Sequence, residues 1–126
     1  PGEMQVSLVS FGFKHGLPME ADLVFDGRFM PNPFYIDAMR EKTGLDREVR
    51  DYVFSFQETE QFMEKLRELL GFVLPLYREE GKTVLVAAIG CTGGHHRSVA
   101  VTHALAEYVA SLGYQVTENH RDMTRN

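Results

Sequence analysis

Residues 84–98 have the sequence VLVAAIGCTGGHHRS, which places a glycine-rich loop directly after an apolar run. The run is rich in β-branched side chains, which indicates a buried strand, and a helical pattern of apolar residues begins near Ser98. A strand, a glycine loop and a helix in this order commonly form an anion site, because the loop amides turn inward and the helix N-terminus carries partial positive charge. This stretch therefore predicts an α/β fold with an anion site in the loop.

The side chains of the loop also suit an anion. Gly93 and Gly94 let the backbone approach a ligand closely, because they have no Cβ atom. Arg97 carries a planar fork of donors that matches phosphate, carboxylate or sulfate. We therefore expect an anion to bind at residues 90–98.

Cys91 and Arg97 permit a second interpretation, because their spacing and the Gly and Ser around them match the loop of the cysteine-dependent protein phosphatases. In that chemistry the thiolate attacks phosphorus while the arginine holds the phosphate oxygens, and Asp26 or Asp122 would be the general acid. A third interpretation is that Cys91 is a small buried residue and the glycines only form a tight turn. No general acid or base is assigned by the pattern itself, which favours binding without catalysis.

The length and composition indicate one globular domain spanning residues 1–126. Of its 126 residues, 44% are hydrophobic and 25% are charged, as in ordinary globular proteins. No apolar run approaches the roughly 18 residues that would cross a membrane, and the N-terminal residues carry no signal segment. A single cysteine excludes an internal disulfide and fits a reducing compartment. We expect a cytoplasmic protein with no membrane partner.

The charge is unevenly distributed along the chain. The net charge is −5 with neutral histidines, which argues against general nucleic-acid binding through many phosphate contacts. Four of the five histidines nevertheless lie in the last third of the chain, together with Arg97, Arg121 and Arg125. We expect this part of the chain to attract a small anion.

The hydrophobic pattern predicts a single-domain mixed sheet flanked by helices. The expected strands cover residues 4–13, 21–26, 84–89 and 114–118, and the expected helices cover residues 35–42, 46–54, 56–80 and 98–112. The last two strands should form a right-handed parallel unit around their helix. The first two strands pair either in parallel or as a hairpin.

The long helix has a predicted start and a predicted buried face. Ser55 and Glu58 fit a capping box, which would start the helix at that point. The apolar residues at three and four spacing, expected to face the core, are Phe62, Leu66, Leu69, Leu70, Val73, Leu76 and Tyr77.

Polar residues follow the predicted ends of several strands, where open α/β sheets bind ligands. Lys14 and His15 follow the first strand and either clamp an anion or form a solvated turn. Asp26 and Arg28 end the second strand, and we favour an ion pair that contributes to a pocket. With Asn32 in the following loop, these segments meet the glycine loop if the strands are parallel.

Several ligand classes lack a signal in this sequence. No His-x3-His or Cys-x2-Cys pair is present, so we expect no metal site. The Gly-x4-Gly-Lys-Ser/Thr and Gly-x-Gly-x2-Gly loops for ATP, GTP and dinucleotides are absent as well. We expect no cofactor.

Five motifs in this chain, taken in order, resemble the C-terminal domain of the RapZ/YvcJ family. They are FGFKHG at 11–16, FDGRF at 25–29, PNP at 31–33, TGLD at 43–46 and GCTGGHHRS at 90–98. His120 and Arg121 near the end also fit the family, and the likeness spans nearly the whole chain. Full-length members are similar to two-domain proteins whose N-terminal P-loop domain binds and hydrolyses ATP or GTP. That domain is absent here, and the chain begins with Pro, so we expect an excised domain.

The resemblance implies a domain that binds glucosamine-6-phosphate. Because the loop has no assigned general acid or base, we expect that the domain is not itself an enzyme. In some bacteria such domains also bind a small regulatory RNA and present it to an endoribonuclease. The residues agree with such a ligand: the phosphate would lie on Thr92, Gly93, Gly94 and Arg97, and the rest of the ligand would be lined by Lys14, Asp26, Arg28, Asn32 and His96. His15 and Ser98 complete the expected ligand-binding set. The expected function is therefore a sensor of a phosphorylated amino sugar that signals to a partner, with a homo-oligomer among the open possibilities.

RNA binding would rest on His120, Arg121 and Arg125 near the C-terminus. RNA-adapter members carry a His after Pro-Asn-Pro, a Lys at position 95 and a basic tail, whereas this chain has Phe34, His95 and a tail of mixed charge. These departures argue against RNA binding by this chain.

Overall fold

The computed structural model describes residues 3–126, which form a four-stranded sheet with four helices. The strands are β1 (Gln5–Gly12), β2 (Leu23–Asp26), β3 (Val84–Cys91) and β4 (Gln115–His120). The helices are α1 (Asp37–Arg40), α2 (Arg47–Phe54), α3 (Gln57–Glu80) and α4 (Arg97–Ser111), and two 3₁₀ turns cover Phe13–His15 and Pro33–Tyr35. The predicted α/β class is confirmed.

The strand order is β2-β3-β1-β4, and all three pairings are parallel. This corrects the mixed sheet expected from the sequence and the hairpin left open for the first two strands. Because β3 lies between β1 and β2, those two strands never pair. The register aligns Gly12 with Cys91, Asp26 with Gly90, and Ser10 with His120. The carboxyl ends of all four strands therefore meet at one edge of the sheet.

The main core lies between the sheet and the helices. Helix α4 packs on β1, β3 and β4, and α2 and α3 pack on α4. Alternating strand residues such as Leu8 and Ile89 are fully buried in this layer. Val9, Phe11 and Ala88 form a second, smaller cluster, as the alternation of side chains along a strand predicts.

Helix α3 buries a face that overlaps in part with the predicted one, since Phe62, Val73 and Tyr77 pack partly buried against the core. Its buried residues are Thr59, Met63, Leu66, Leu70 and Leu74, whereas Leu69 and Leu76 of the predicted stripe are exposed. The helix carries more apolar residues than one face can hold, so three and four spacing alone fits two adjacent stripes. The packing against α4 and α2 selects one of them.

The predicted capping box at the start of α3 is wrong. The hydroxyl of Ser55 donates to the carbonyl of Tyr52 at the end of α2, and Phe56 occupies the N-cap position of α3. The short connection between the two helices uses Ser55 to end α2, because a hydroxyl can equally satisfy a carbonyl of the preceding turn.

Two adjacent leucines in α3 provide a test of this packing. Replacing Leu70, which is fully buried, with Ala should reduce the free energy of unfolding by about 3 kcal/mol, because it removes buried methylenes and leaves a cavity. Replacing Leu69, which is 39% exposed, with Ala should cost less than about 1 kcal/mol. Urea unfolding of the two variants measures the difference, and equal costs would contradict the assignment of the buried face.

Candidate functional site

A pocket of about 250 Å³ opens at the carboxyl ends of the strands. Its lining comes from the segment after β1, the loop around the second 3₁₀ turn, and the loop between β3 and α4. The lining residues are Lys14, Asn32, Phe34, Tyr35, Cys91, Thr92, Gly93, Gly94, His95, His96 and Arg97. Three segments far apart in sequence therefore form one concave surface.

The pocket contains most of the predicted ligand-binding residues. Thr92, Gly93, Gly94, His96 and Arg97 line it from the glycine loop, and Lys14 and Asn32 line it from the other two segments. Four predicted residues lie outside the lining: His15, Asp26, Arg28 and Ser98.

The four residues outside the lining have contacts of their own. Asp26 and Arg28 form the expected ion pair at 2.6 Å at the protein surface, with the Arg28 guanidinium over the ring of Phe13. The hydrogen bonds from Arg28 lower the pKa of Asp26. Ser98 is buried behind the loop, and His15 lies on the 3₁₀ turn that carries Lys14.

Phe34 and Tyr35 line the pocket although sequence analysis assigned them no ligand contact. Their position directly after Pro-Asn-Pro was the available signal, because that motif fixes an extended loop at the end of β2. His95 lines the pocket as well, although only its neighbour His96 was predicted as a ligand contact.

The glycine loop is held by direct backbone packing. A Cβ atom on Gly12 would collide with Gly93, and one on Gly44 would collide with the carbonyl of His96. Gly94 has φ of 83° and approaches the amide of Gly12 closely. The N–H of Gly44 also donates to the carbonyl of His95 at 2.9 Å. Glycines in three segments thus let the loop pack closely against the end of β1 and against the chain at Gly44.

The backbone amides of the loop are available for a ligand. The N–H groups of residues 92–96 donate to no acceptor within residues 3–126. His96 occupies the N-cap position of α4 and its side chain makes no capping hydrogen bond, whereas the N–H of Ser98 donates to the sulfur of Cys91 at 3.4 Å. The N-terminus of a helix carries a partial positive charge that suits an anion.

Arg97 is a buried cation without a carboxylate partner in residues 3–126. It is 4% exposed, and its Nη1 donates to the carbonyls of Arg28 and Met30, both at 2.8 Å. Its Nε is buried and has no acceptor in the described chain. Carbonyl dipoles orient the guanidinium but carry no net charge. After the hydrogen bonds from Arg28, the charge of Arg97 also contributes to the lowered pKa of Asp26, although Arg97 and Asp26 form no salt bridge.

Cys91 lies at the base of the pocket and is 2% exposed. Its S–H donates to the hydroxyl of Ser98 at 3.1 Å, and the backbone N–H of Ser98 lies 3.4 Å from the sulfur. The sulfur is therefore hydrogen-bonded to Ser98 where β3 leads into α4.

His96 is also buried, and its Nε2 contacts the carbonyl of Arg40 at 3.2 Å. Because a carbonyl only accepts, Nε2 carries the proton. Burial lowers the pKa of His96, although the Arg40 carbonyl acts in the opposite direction. Burial therefore favours the neutral ring, and the carbonyl of Arg40 orients it at the pocket wall.

The C-terminal segment braces the back of the glycine loop through Asp122. This fully buried carboxylate accepts from the N–H of Gly12 at 2.8 Å and pairs with Arg121 and Arg125. Burial raises the pKa of Asp122, but the hydrogen bonds from Arg121, Gly12 and Arg125 outweigh it, and the pKa falls below its usual 3.8. His95 contacts the carbonyl of Arg125.

The residues predicted for RNA binding make protein contacts. Arg121 donates to the carbonyl of Gly16 at 2.6 Å as well as to Asp122. His120 joins the hydroxyl of Ser10 to the carboxylate of Glu118, which also pairs with His103. Strand β4 runs two residues past its predicted end, which brings these side chains to the rim.

No group of three or more His, Cys, Asp and Glu residues within 3–126 is arranged to hold a metal ion. In the same part of the chain, no helix combines the length and apolarity that crossing a membrane requires.

Comparisons with known proteins agree with the five motifs. The family model described as the RapZ C-terminal domain matches residues 4–124. Proteins named nucleotide-binding protein are 59% identical over 123 residues in Geobacillus thermodenitrificans and 56% over 117 residues in Alkaliphilus oremlandii. One from Acetivibrio thermocellus is 54% identical over 123 residues. These matches cover 95%, 93% and 98% of this chain but 40%, 40% and 42% of the relatives, so the chain spans about two fifths of their length.

The pH dependence of the free energy of unfolding tests whether ionised Asp122 stabilises the back of the glycine loop. Because its folded pKa is lowered, its ionised form contributes stability above pH 3.8 that is lost as pH falls through the folded pKa. Asp122→Asn should therefore cost about 2 kcal/mol of unfolding free energy at pH 7, with a smaller difference from wild type near pH 2. The exposed Asp51→Asn is the matched control, and urea unfolding at both pH values is the measurement. A cost of Asp122→Asn that is independent of pH would contradict the paired carboxylate.

Proposed function

This chain belongs to the family of the RapZ C-terminal domain, and from that membership and the pocket we propose that it binds glucosamine-6-phosphate or a closely related phosphorylated sugar. The bound state would signal the sugar phosphate to a partner. The observation that carries the proposal is the buried guanidinium of Arg97, which has no carboxylate partner within residues 3–126 and lines a pocket with free loop amides. A phosphate supplies the missing negative charge and the acceptors together.

The arrangement of donors supports one orientation of the ligand. The phosphate would lie against the amides of residues 92–96, with Arg97 on one side. Lys14 enters the pocket from the segment after β1 and adds a second cation, and Asn32 lies in the wall formed by the second 3₁₀ turn. The sugar would then extend from the loop towards Asn32, while Asp26 and Arg28 stay candidates for contacts at the rim.

Phosphatase chemistry at Cys91 is the rival proposal, and three features favour binding instead. The Cys91 thiol donates a hydrogen bond to the hydroxyl of Ser98 and is almost fully buried. Asp26 and Asp122, the candidate general acids, both have lowered pKa values because arginines pair with them. An ionised carboxylate cannot donate the proton that the leaving group requires.

The wider role of the protein follows from the same resemblance. We propose that it works in the cytoplasm and that ATP or GTP hydrolysis belongs to the remaining part of longer relatives. Adapter activity towards a small RNA has less support in this chain, because Arg121 and Arg125 pair with Asp122 and His120 pairs with Glu118. A protein partner is therefore the favoured recipient of the signal.

Calorimetric titration with glucosamine-6-phosphate tests the binding proposal. Arg97→Ala should weaken binding at least about a hundredfold, because a buried charge-assisted contact is lost. Lys14→Ala should weaken it about tenfold, and this exposed position avoids a folding defect. Arg78→Ala, on α3, is the matched control and should leave affinity unchanged. Wild-type protein that fails to bind the sugar phosphate would overturn the proposal.

A Cys91→Ser variant separates binding from catalysis. We expect it to bind glucosamine-6-phosphate with about the wild-type affinity, because a hydroxyl can keep the hydrogen bond to Ser98. We also expect no phosphate release from p-nitrophenyl phosphate by either protein. Hydrolysis by wild type that the variant lacks would instead establish the phosphatase.

A further inference from the structure

Phe34 and Tyr35 form an uncovered aromatic wall in the pocket. Phe34 is 48% exposed and Tyr35 is 78% exposed, and both line the same pocket as Gly93, Gly94 and Arg97. Aromatic side chains gain much of their stabilisation from burial, so two adjacent exposed rings in a concave site leave apolar surface for a ligand.

The aromatic wall is held in place by its own loop. Pro33 is buried, and the side chain of Asn32 accepts from the N–H of Phe34 at 3.1 Å. The Nε of Arg40 donates to the carbonyl of Phe34 at 2.8 Å, and its guanidinium lies 5.2 Å from the centre of the Phe34 ring. The wall is therefore preorganised while its outer surface stays open.

The two rings also have a fixed mutual geometry. Their centres are 5.7 Å apart and their planes meet at 85°, an edge-to-face arrangement. This contact orients Tyr35 against Phe34, so the pocket has one subsite for an anion at the loop and one apolar wall.

We propose that Phe34 and Tyr35 form a ring-binding subsite, which packs against the apolar face of the ligand's sugar ring and distinguishes a sugar phosphate from free phosphate. The proposal rests on the proposed function and deepens it. A pyranose presents a face of C–H groups to an aromatic ring while its hydroxyls point outward to polar groups. The pocket of about 250 Å³ is small for a drug-sized ligand, which favours a hexose phosphate over a nucleotide.

The inference predicts that the aromatic wall contributes selectivity rather than phosphate affinity. Tyr35→Ala and Phe34→Ala should each weaken glucosamine-6-phosphate about fivefold to tenfold, with inorganic phosphate affinity unchanged. Tyr35→Phe keeps the ring and should retain most of the affinity. Phe72→Ala removes an exposed ring of α3 outside the pocket lining and is the matched control.

Titrations of all five proteins with glucosamine-6-phosphate, adenosine monophosphate and inorganic phosphate carry the test. Sugar phosphate affinity that is unchanged in both alanine variants would overturn the aromatic subsite while leaving the proposed function intact. An equal loss of inorganic phosphate affinity would also overturn it, because the wall would then only support the loop. Tighter binding of adenosine monophosphate than of the sugar phosphate would overturn the hexose assignment. Wild type that binds no sugar phosphate would instead contradict the proposed function.

Discussion

The burial of Arg97 without a neutralising carboxylate within residues 3–126 is the constraint on which the site depends. A buried charge is costly unless polar groups surround it, and here the carbonyls of Arg28 and Met30 do so. Those carbonyls lie in the loop after β2, so the arginine ties that loop to the start of α4. The charge organises the pocket, and under the proposed function it attracts the anion.

The glycines let the backbone pack closely around the site, because they carry no side chains. The packing of Gly12 on Gly93 and of Gly44 on His96 brings backbone against backbone. Under the proposed function, loop amides held this way would need no reorganisation when the anion binds, and preorganised donors bind more tightly than mobile ones. The buried, hydrogen-bonded sulfur of Cys91 fits the same interpretation, since it fills the space under the loop.

The sequence predicted the strand, loop and helix at residues 84–111 better than it predicted the packing of the other helices. A strand, glycine loop and helix have strong local signals, so the loop at residues 90–98 was recognised from its own residues. Part of the buried face of α3 and the role of Ser55 were missed, because each depends on which neighbour packs there. The pairing of the first two strands was left open for a similar reason. Strand β3, which lies between β1 and β2 in the sheet, comes about 60 residues later in the sequence than β2.

Asp122 shows why one part of the site escaped sequence analysis. As a lone acid near the C-terminus it suggested a general acid, yet the structure surrounds it with Arg121, Arg125 and the amide of Gly12. Parallel pairing of β4 with β1 creates this contact between residues 110 positions apart. The ion pairs that keep the carboxylate charged make it a poor proton donor and a good brace. The same contacts that support the loop therefore favour the proposed binding role over acid catalysis by Asp122.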